Sequence, residues 1–199
     1  MANPSTPFGF KRIKADSGLM PRLQEVIRPS SDAVKLYIGD LVQDAGTTDA
    51  TGEFREVLQG AASTKVFGVV ESIIGVYPSG EDMNNSNLFK NFVAASTAAR
   101  LLVCTDPKAE YVAVEDSVGG NLAAVDCGLN VDVVVNTGND PLGLSGMQID
   151  SSTKATTITL PLKLVKLHMN GTNAIGTNAQ WVVRINNAVE SGGDGSTGS

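Results

Sequence analysis

The chain has 199 residues, enough for one domain with its own apolar core and no obligatory metal or disulfide. It is 42% hydrophobic and only 18% charged, and its 21 glycines suit β structure better than helix. A net charge of −6 repels phosphate backbones and argues against general nucleic-acid binding.

The charge is unevenly spread: residues 1–30 carry +3 and the remainder −9. Pro4, Pro7, Pro21 and Pro29 fix φ and remove donors, so residues 1–30 read as an extended N-terminal arm. The arm is not polar throughout. Phe8, Phe10, Ile13, Leu19, Met20 and Leu23 must lie on the chain's own body or on another subunit. Phe8, Phe10, Arg12, Ile13, Leu19 and Met20 are therefore the candidate interface residues. A basic arm on an acidic body suggests docking on an acidic neighbour; a solvated leader is the other reading. The first twenty residues lack an apolar signal core, and no apolar run is long enough for a membrane helix. The chain reads as made and kept in an aqueous, reducing compartment, with no membrane partner. Cys104 and Cys127 lie in apolar runs and read as free thiols, with a disulfide left open.

Residues 31–190 read as a β-rich domain. Val34–Ile38 alternates and stops at Gly39-Asp40, a strand and a turn. Residues 45–52 read as a loop. Lys65–Tyr77 is strongly β, with bulges or close backbone approach at Gly68 and Gly75 and a turn at Pro78-Ser79-Gly80. Ser86–Leu102 admits one short helix or none. From Leu101 the strand signals become dense: Leu101–Thr105, Glu110–Glu115, Leu122–Cys127 and Val131–Asn136, punctuated by turns about ten residues apart. Asn136–Gly146 reads as a loop. Thr156–Met169 reads as the clearest strand, with a phase slip near 164–165 and Pro161 away from any fully paired position. Residues 171–180 form a loop. Gln180–Asn186 is the last strand, with Trp181, Val183 and Ile185 on one face, and residues 191–199 read as a disordered Gly/Ser tail. The predicted fold is all-β: an antiparallel barrel or sandwich with an extended N-terminal arm and at most one short helix.

The sequence offers little chemistry. His168 is the one histidine and reads as structural. No phosphate-binding glycine motif is present, and the two cysteines lack metal spacing. The run Asp126, Asn130, Asp132, Asn136, Asn139, Asp140 is rich in oxygen ligands but lacks the EF-hand pattern, and Asn and Asp also favour turns. Glu115 and Asp116 are adjacent in a strand and face opposite ways, so they do not share a substrate. No catalytic residue, metal site or cofactor is assigned.

Several segments, taken in order, resemble a family of tailed-phage head proteins. They are Pro7-Phe8-Gly9-Phe10-Lys11; Ala33–Val42 with Tyr37-Ile38-Gly39-Asp40; Thr105-Asp106-Pro107 and the strand after it; Asp126–Asp132; Gly143-Leu144-Ser145-Gly146 with Ile149–Thr153; Leu160–Leu167; and Trp181–Asn186. The family is that of head decoration, or cement, proteins. The resemblance covers residues 7–187, and departs from the family's pattern at the alanine-rich residues 86–100 and at Cys127 and Leu129.

The resemblance implies a non-enzymatic homotrimer on the outer surface of the virion capsid, made in the host cytoplasm. Its partner would be the major capsid protein, whose lattice it would stabilise without contacting nucleic acid. A second reading is a virion-surface β domain adhering to host glycans through exposed Trp181, Tyr77 and Tyr111. A third is a hydrolase with a carboxylate pair, which the sequence does not supply.

Overall fold

The protein, a computed structural model, is described here over residues 3–15, 20–77, 91–191 and 195–198. Its strands are β1 (Lys11–Lys14), β2 (Leu23–Arg28), β3 (Leu36–Tyr37), β4 (Leu41–Thr48), β5 (Arg55–Gln59), β6 (Gly68–Tyr77), β7 (Phe92–Val93), β8 (Ala98–Cys104), β9 (Glu110–Val114), β10 (Asn130–Val134), β11 (Gln148–Ala155), β12 (Leu162–Leu167) and β13 (Gln180–Ile185). The only helical turns among the described residues are two 3₁₀ turns, Ala124–Asp126 and Val189–Ser191. The all-β expectation holds, with two bodies rather than one.

Five strands close a small barrel in the order β2-β5-β4-β6-β8. Every pair in it is antiparallel except β2 with β5, which run parallel at Ile27 and Glu56. The second body is a six-stranded sheet, β1-β9-β13-β12-β10-β11, with antiparallel neighbours throughout. β3 and β7 form a two-stranded ribbon beside them.

Period-two alternation explains how the bodies join. Neighbouring residues on a strand point to opposite faces. In the pairs Leu41/Val42, Val66/Phe67, Val69/Val70 and Cys104/Val103, the first residue joins the core shared with the six-stranded sheet, and the second fills the barrel. The barrel wall is therefore apolar on both sides here, so Lys65–Tyr77 reads as a continuous apolar run. Gly68 lies where β6 crosses β8 closely: a Cβ there would overlap the Cys104 carbonyl and the Val103 side chain. The expected irregularity at Gly75 is present as a register shift between Ile73 and Gly75.

Arg28 holds the barrel rim from inside. Its guanidinium is fully buried. It donates to Asp32 Oδ2 at 3.1 Å, to the carbonyls of Ala94 and Thr97 at 2.7 Å each, to the Asp32 carbonyl at 2.8 Å, and to the Val34 carbonyl. All three guanidinium nitrogens are thus partnered, the condition under which a buried charge is tolerated. At the opposite end the C-terminal 3₁₀ turn latches the barrel: Val66 donates to the Asn187 carbonyl and Val189 to the Val66 carbonyl, both at 2.9 Å.

Several expectations are corrected. The arm does not extend to residue 30, because Leu23–Arg28 is a barrel strand lying between Pro21 and Pro29. Residues 45–48, expected in a loop, continue β4 past a register shift between Asp44 and Thr48. Leu122–Cys127 is not a strand. The Leu122 amide donates to the Glu115 side chain at 2.9 Å, and Asp126 accepts from the Ala123 amide at 2.8 Å, closing a 3₁₀ turn instead. Thr156–Leu160 is not a strand either; Asn186 Nδ2 takes the carbonyls of Ile158 and Leu160, and Asn187 Nδ2 that of Thr159. The strand there is Leu162–Leu167, and its register shift between Leu164 and Lys166 matches the expected phase slip. Gln148–Ala155, to which the sequence reading assigned no strand, is strand β11. In the ambiguous window, Phe92–Val93 and Ala98–Cys104 are strands, while residues 86–90 and the turn at 78–80 lie outside the described residues. The described part of the tail, residues 195–198, is bonded rather than free: the Ser196 amide donates to Asn186 Oδ1 at 2.9 Å and Lys163 donates to the Thr197 carbonyl at 2.8 Å.

Candidate functional site

The N-terminal segment leads to the site. Asn3 is anchored to the loop after β12, donating to the Ala174 carbonyl at 2.8 Å and accepting from the Ala174 amide at 3.1 Å. Phe10 is buried in the core shared by barrel and sheet, a cluster that includes Leu41 and Tyr111, and its amide donates to the Gly39 carbonyl at 2.9 Å. Gly9 makes this crossing possible. It sits at φ +72°, and a Cβ there would fall on the Cβ of Ser145 and 2.6 Å from the Gly39 carbonyl. β1 then adds to the edge of the six-stranded sheet, with Lys11 opposite Val112 and Arg12 opposite Tyr111.

A groove of about 710 Å³ runs along β1. Its walls are Phe8, Phe10, Lys11, Arg12 and Ile13 from the N-terminal segment, Ile38, Gly39, Val70 and Glu71 from the barrel side, Leu144 from the loop before β11, and Val112, His168, Asn170 and Gln180 from the sheet. Ile13 and Ile38 are 45% and 39% exposed, so apolar surface faces solvent on both sides. Arg12 and Glu71 form an ion pair across it at 2.7 Å. The Glu71 hydrogen bond raises the Arg12 pKa above its ordinary value, against the opposing effect of burial.

Four of the six candidate interface residues thus line one groove: Phe8, Phe10, Arg12 and Ile13. Phe10 does so mostly from within the core. Met20 lies elsewhere and is 90% exposed, and Leu19 is outside the described residues. The arm's basic residues divide in two. Arg12, Arg22 and Arg28 pair with Glu71, Glu190 and Asp32 of the chain's own body, whereas Lys11 and Lys14 are exposed on β1.

Next to the groove residue Gly39, Asp40 is fully buried in the turn immediately before β4. Burial pushes its pKa up to about 6, although the Tyr37 amide and the Gln59 side chain donate to it and pull the other way. Burial likewise raises the Tyr111 hydroxyl and the Cys104 thiol. Both cysteines are free.

The other residues singled out by chemistry are dispersed. Glu115 is buried and its pKa raised by desolvation, and Asp116 accepts from the Ser151 hydroxyl at 2.8 Å, so the two carboxylates serve separate structural bonds. The oxygen-rich run is spread over three places. Asp126 pairs with Lys154, Asp132 accepts from the Ser63 amide and hydroxyl, and Asp140 takes Lys35 and the Tyr37 hydroxyl. Among the described residues no three His, Cys, Asp or Glu side chains are grouped to hold a metal ion. Trp181 and Tyr111 are buried, 0% and 1% exposed, so neither offers the sugar-stacking face that glycan binding would use; the Tyr77 side chain lies outside the described residues.

Sequence reasoning missed Ile38, Gly39, Glu71, Leu144 and His168 as groove residues. Their pairing with the N-terminal segment spans separations that local periodicity does not encode. No family model, no curated protein and no solved structure matches the chain.

Proposed function

We propose that this chain is a structural protein of a tailed-phage head. It would be a decoration protein on the outer surface of the shell, bridging major capsid protein subunits as a homotrimer. The observation that carries this reading is a convergence. Three segments that carry the resemblance, residues 7–11, 33–42 and 143–146, meet at one junction. There Phe10 bonds Gly39, Gly9 lies against Ser145, and Ile38 bridges Leu144. The same segments supply Phe8, Phe10, Lys11, Ile38, Gly39 and Leu144 to the groove wall. The groove is lined from both the N-terminal segment and the barrel, with Ile13 and Ile38 exposed to solvent, and such open, partly apolar surface suits a polypeptide contact.

A decoration protein acts through binding energy alone. Whatever binds the assembled shell and not its free subunits stabilises the shell by mass action. Three copies of one contact in a trimer add avidity. The test is to prepare heads with and without this protein, heat both and measure DNA release. Heads lacking the protein are expected to leak at lower temperature, and the protein to scatter light as a trimer. Equal heat stability of the two preparations would count decisively against the proposal.

A further inference from the structure

We infer that the groove along β1 is a strand-addition site for an extended acidic segment of a partner protein. The inference deepens the proposed function, on which it rests for the identity of that partner as the shell protein.

Among the described residues, the topology leaves two strand edges without a strand partner at the groove, one on β1 and one on β6. β1 is the terminal strand of the six-stranded sheet, bonded to β9 on one side alone among the described residues. β6 is ten residues long, and β8 pairs along it from Val69 to Tyr77. On its other side β4 reaches only Gly68 and Val69, and the last bonds there join Val70 to Gly39 and Asp40. From Glu71 onward that side of β6 has no strand partner among the described residues. An exposed strand edge is a row of unsatisfied donors and acceptors that an extended peptide can complete.

The side chains specify the occupant. Arg12 shares register with the buried Tyr111 and pairs with Glu71, so these two groove charges neutralise each other. Ile13 and Ile38 offer exposed apolar contact, and His168 lies on the sheet-side wall. Lys11 and Lys14 are exposed on the edge strand itself. Two copies of β1 paired edge to edge would bring these lysines together, which disfavours self-addition. An incoming strand alternating carboxylates with apolar residues would meet the lysines with opposite charge and the isoleucines with apolar surface.

The test uses the full chain and two acetylated, amidated hexapeptides, one alternating glutamate with valine and one alternating lysine with valine. Amide hydrogen exchange and chemical shifts are followed across residues 11–14. The acidic peptide is expected to protect these amides, with affinity falling as salt rises, and the basic peptide not to bind. The surface double variant Lys11→Glu/Lys14→Glu should lose about tenfold or more in affinity for the acidic peptide and gain it for the basic one. Equal binding of both peptides, binding of neither, or a variant that behaves as the parent would overturn the inference. So would protection that rises with protein concentration and no peptide, which assigns the edge to a second copy. Head binding separates the two readings. If the parent chain binds heads and the double variant binds equally well, the groove assignment fails and the decoration role stands. If the parent chain does not bind heads but takes up the acidic peptide, the decoration role fails and the groove assignment stands.

Discussion

The Phe10 amide donates to the Gly39 carbonyl at 2.9 Å, and through this bond the N-terminal segment is fastened to the barrel before it joins the sheet. The Phe10 ring then fills the core shared by both bodies, at 2% exposure. Phe10→Ala should cost about 3–5 kcal/mol, the usual penalty for emptying a buried phenylalanine site. Urea unfolding reads it as a lower midpoint. A loss below about 1 kcal/mol would show that the segment is an attached arm rather than part of the core.

Arg28 and Asp32 predict an asymmetric response. Arg28→Met leaves Asp32 buried without its cation and strips donors from four carbonyls, so it should destabilise by about 3–5 kcal/mol. Adding Asp32→Asn to that variant should recover part of the loss by removing the stranded charge. A double-mutant cycle in guanidinium measures the coupling, and additive losses would contradict the pairing.

Asp40 makes stability depend on pH in a direction opposite to most paired carboxylates. Its folded pKa, about 6, lies above the ordinary value of 3.8, so the fold binds the proton more tightly than the unfolded chain does. The resulting stabilisation is complete below pH 3.8 and is lost as pH rises through 6. Asp40→Asn removes this titration. The variant should gain on the order of 2 kcal/mol relative to the parent between pH 4 and pH 8. Thermal unfolding of the pair across that range tests it, and a constant difference would show that Asp40 does not titrate there.

Two glycines separate space from sequence. Gly68→Ala would drive a methyl group into the Cys104 carbonyl and should cost more than about 2 kcal/mol. Gly171→Ala meets nothing within 4 Å and should change stability by no more than about 0.5 kcal/mol. Chemical denaturation of both variants ranks them.

The thiols should differ in reactivity. Cys104 is buried and its pKa raised by desolvation, while Cys127 is only partly buried. A thiol reagent under native conditions should modify Cys127 first, and Cys104 only on unfolding. Simultaneous modification would contradict the burial of Cys104.

Strands whose two faces differ in character were legible from sequence. Gln180–Ile185 and the slip near Leu164 could be read because alternation survives there. β11 was hidden because Asp150, Ser151, Ser152, Thr153 and Lys154 give it the composition of a loop, as an edge strand tolerates. Thr156–Leu160 misled in the opposite direction: its alternation is real, but the side chains of Asn186 and Asn187 capture its carbonyls. The prolines at 21 and 29 suggested an arm, whereas they lie outside β2 and leave its ladder intact. For the groove, Phe8, Phe10, Arg12 and Ile13 were visible as apolar and basic residues needing a surface. The opposite wall was not visible, since nothing local in Ile38, Glu71 or His168 announces a neighbour so far along the chain.

Neighbouring strands β1 and β9 are separated in the chain by the whole barrel, which begins at Leu23 and ends at Cys104. During synthesis all the barrel strands therefore emerge from the ribosome before the first partner of β1 exists. The barrel has the means to form early as a local unit, while the N-terminal strand must wait for Glu110–Val114 and the sheet for Ile185. Completion of the molecule is thus a late event in the life of the nascent chain, and the surface that β1 helps to build comes into being only after translation has passed the last strand.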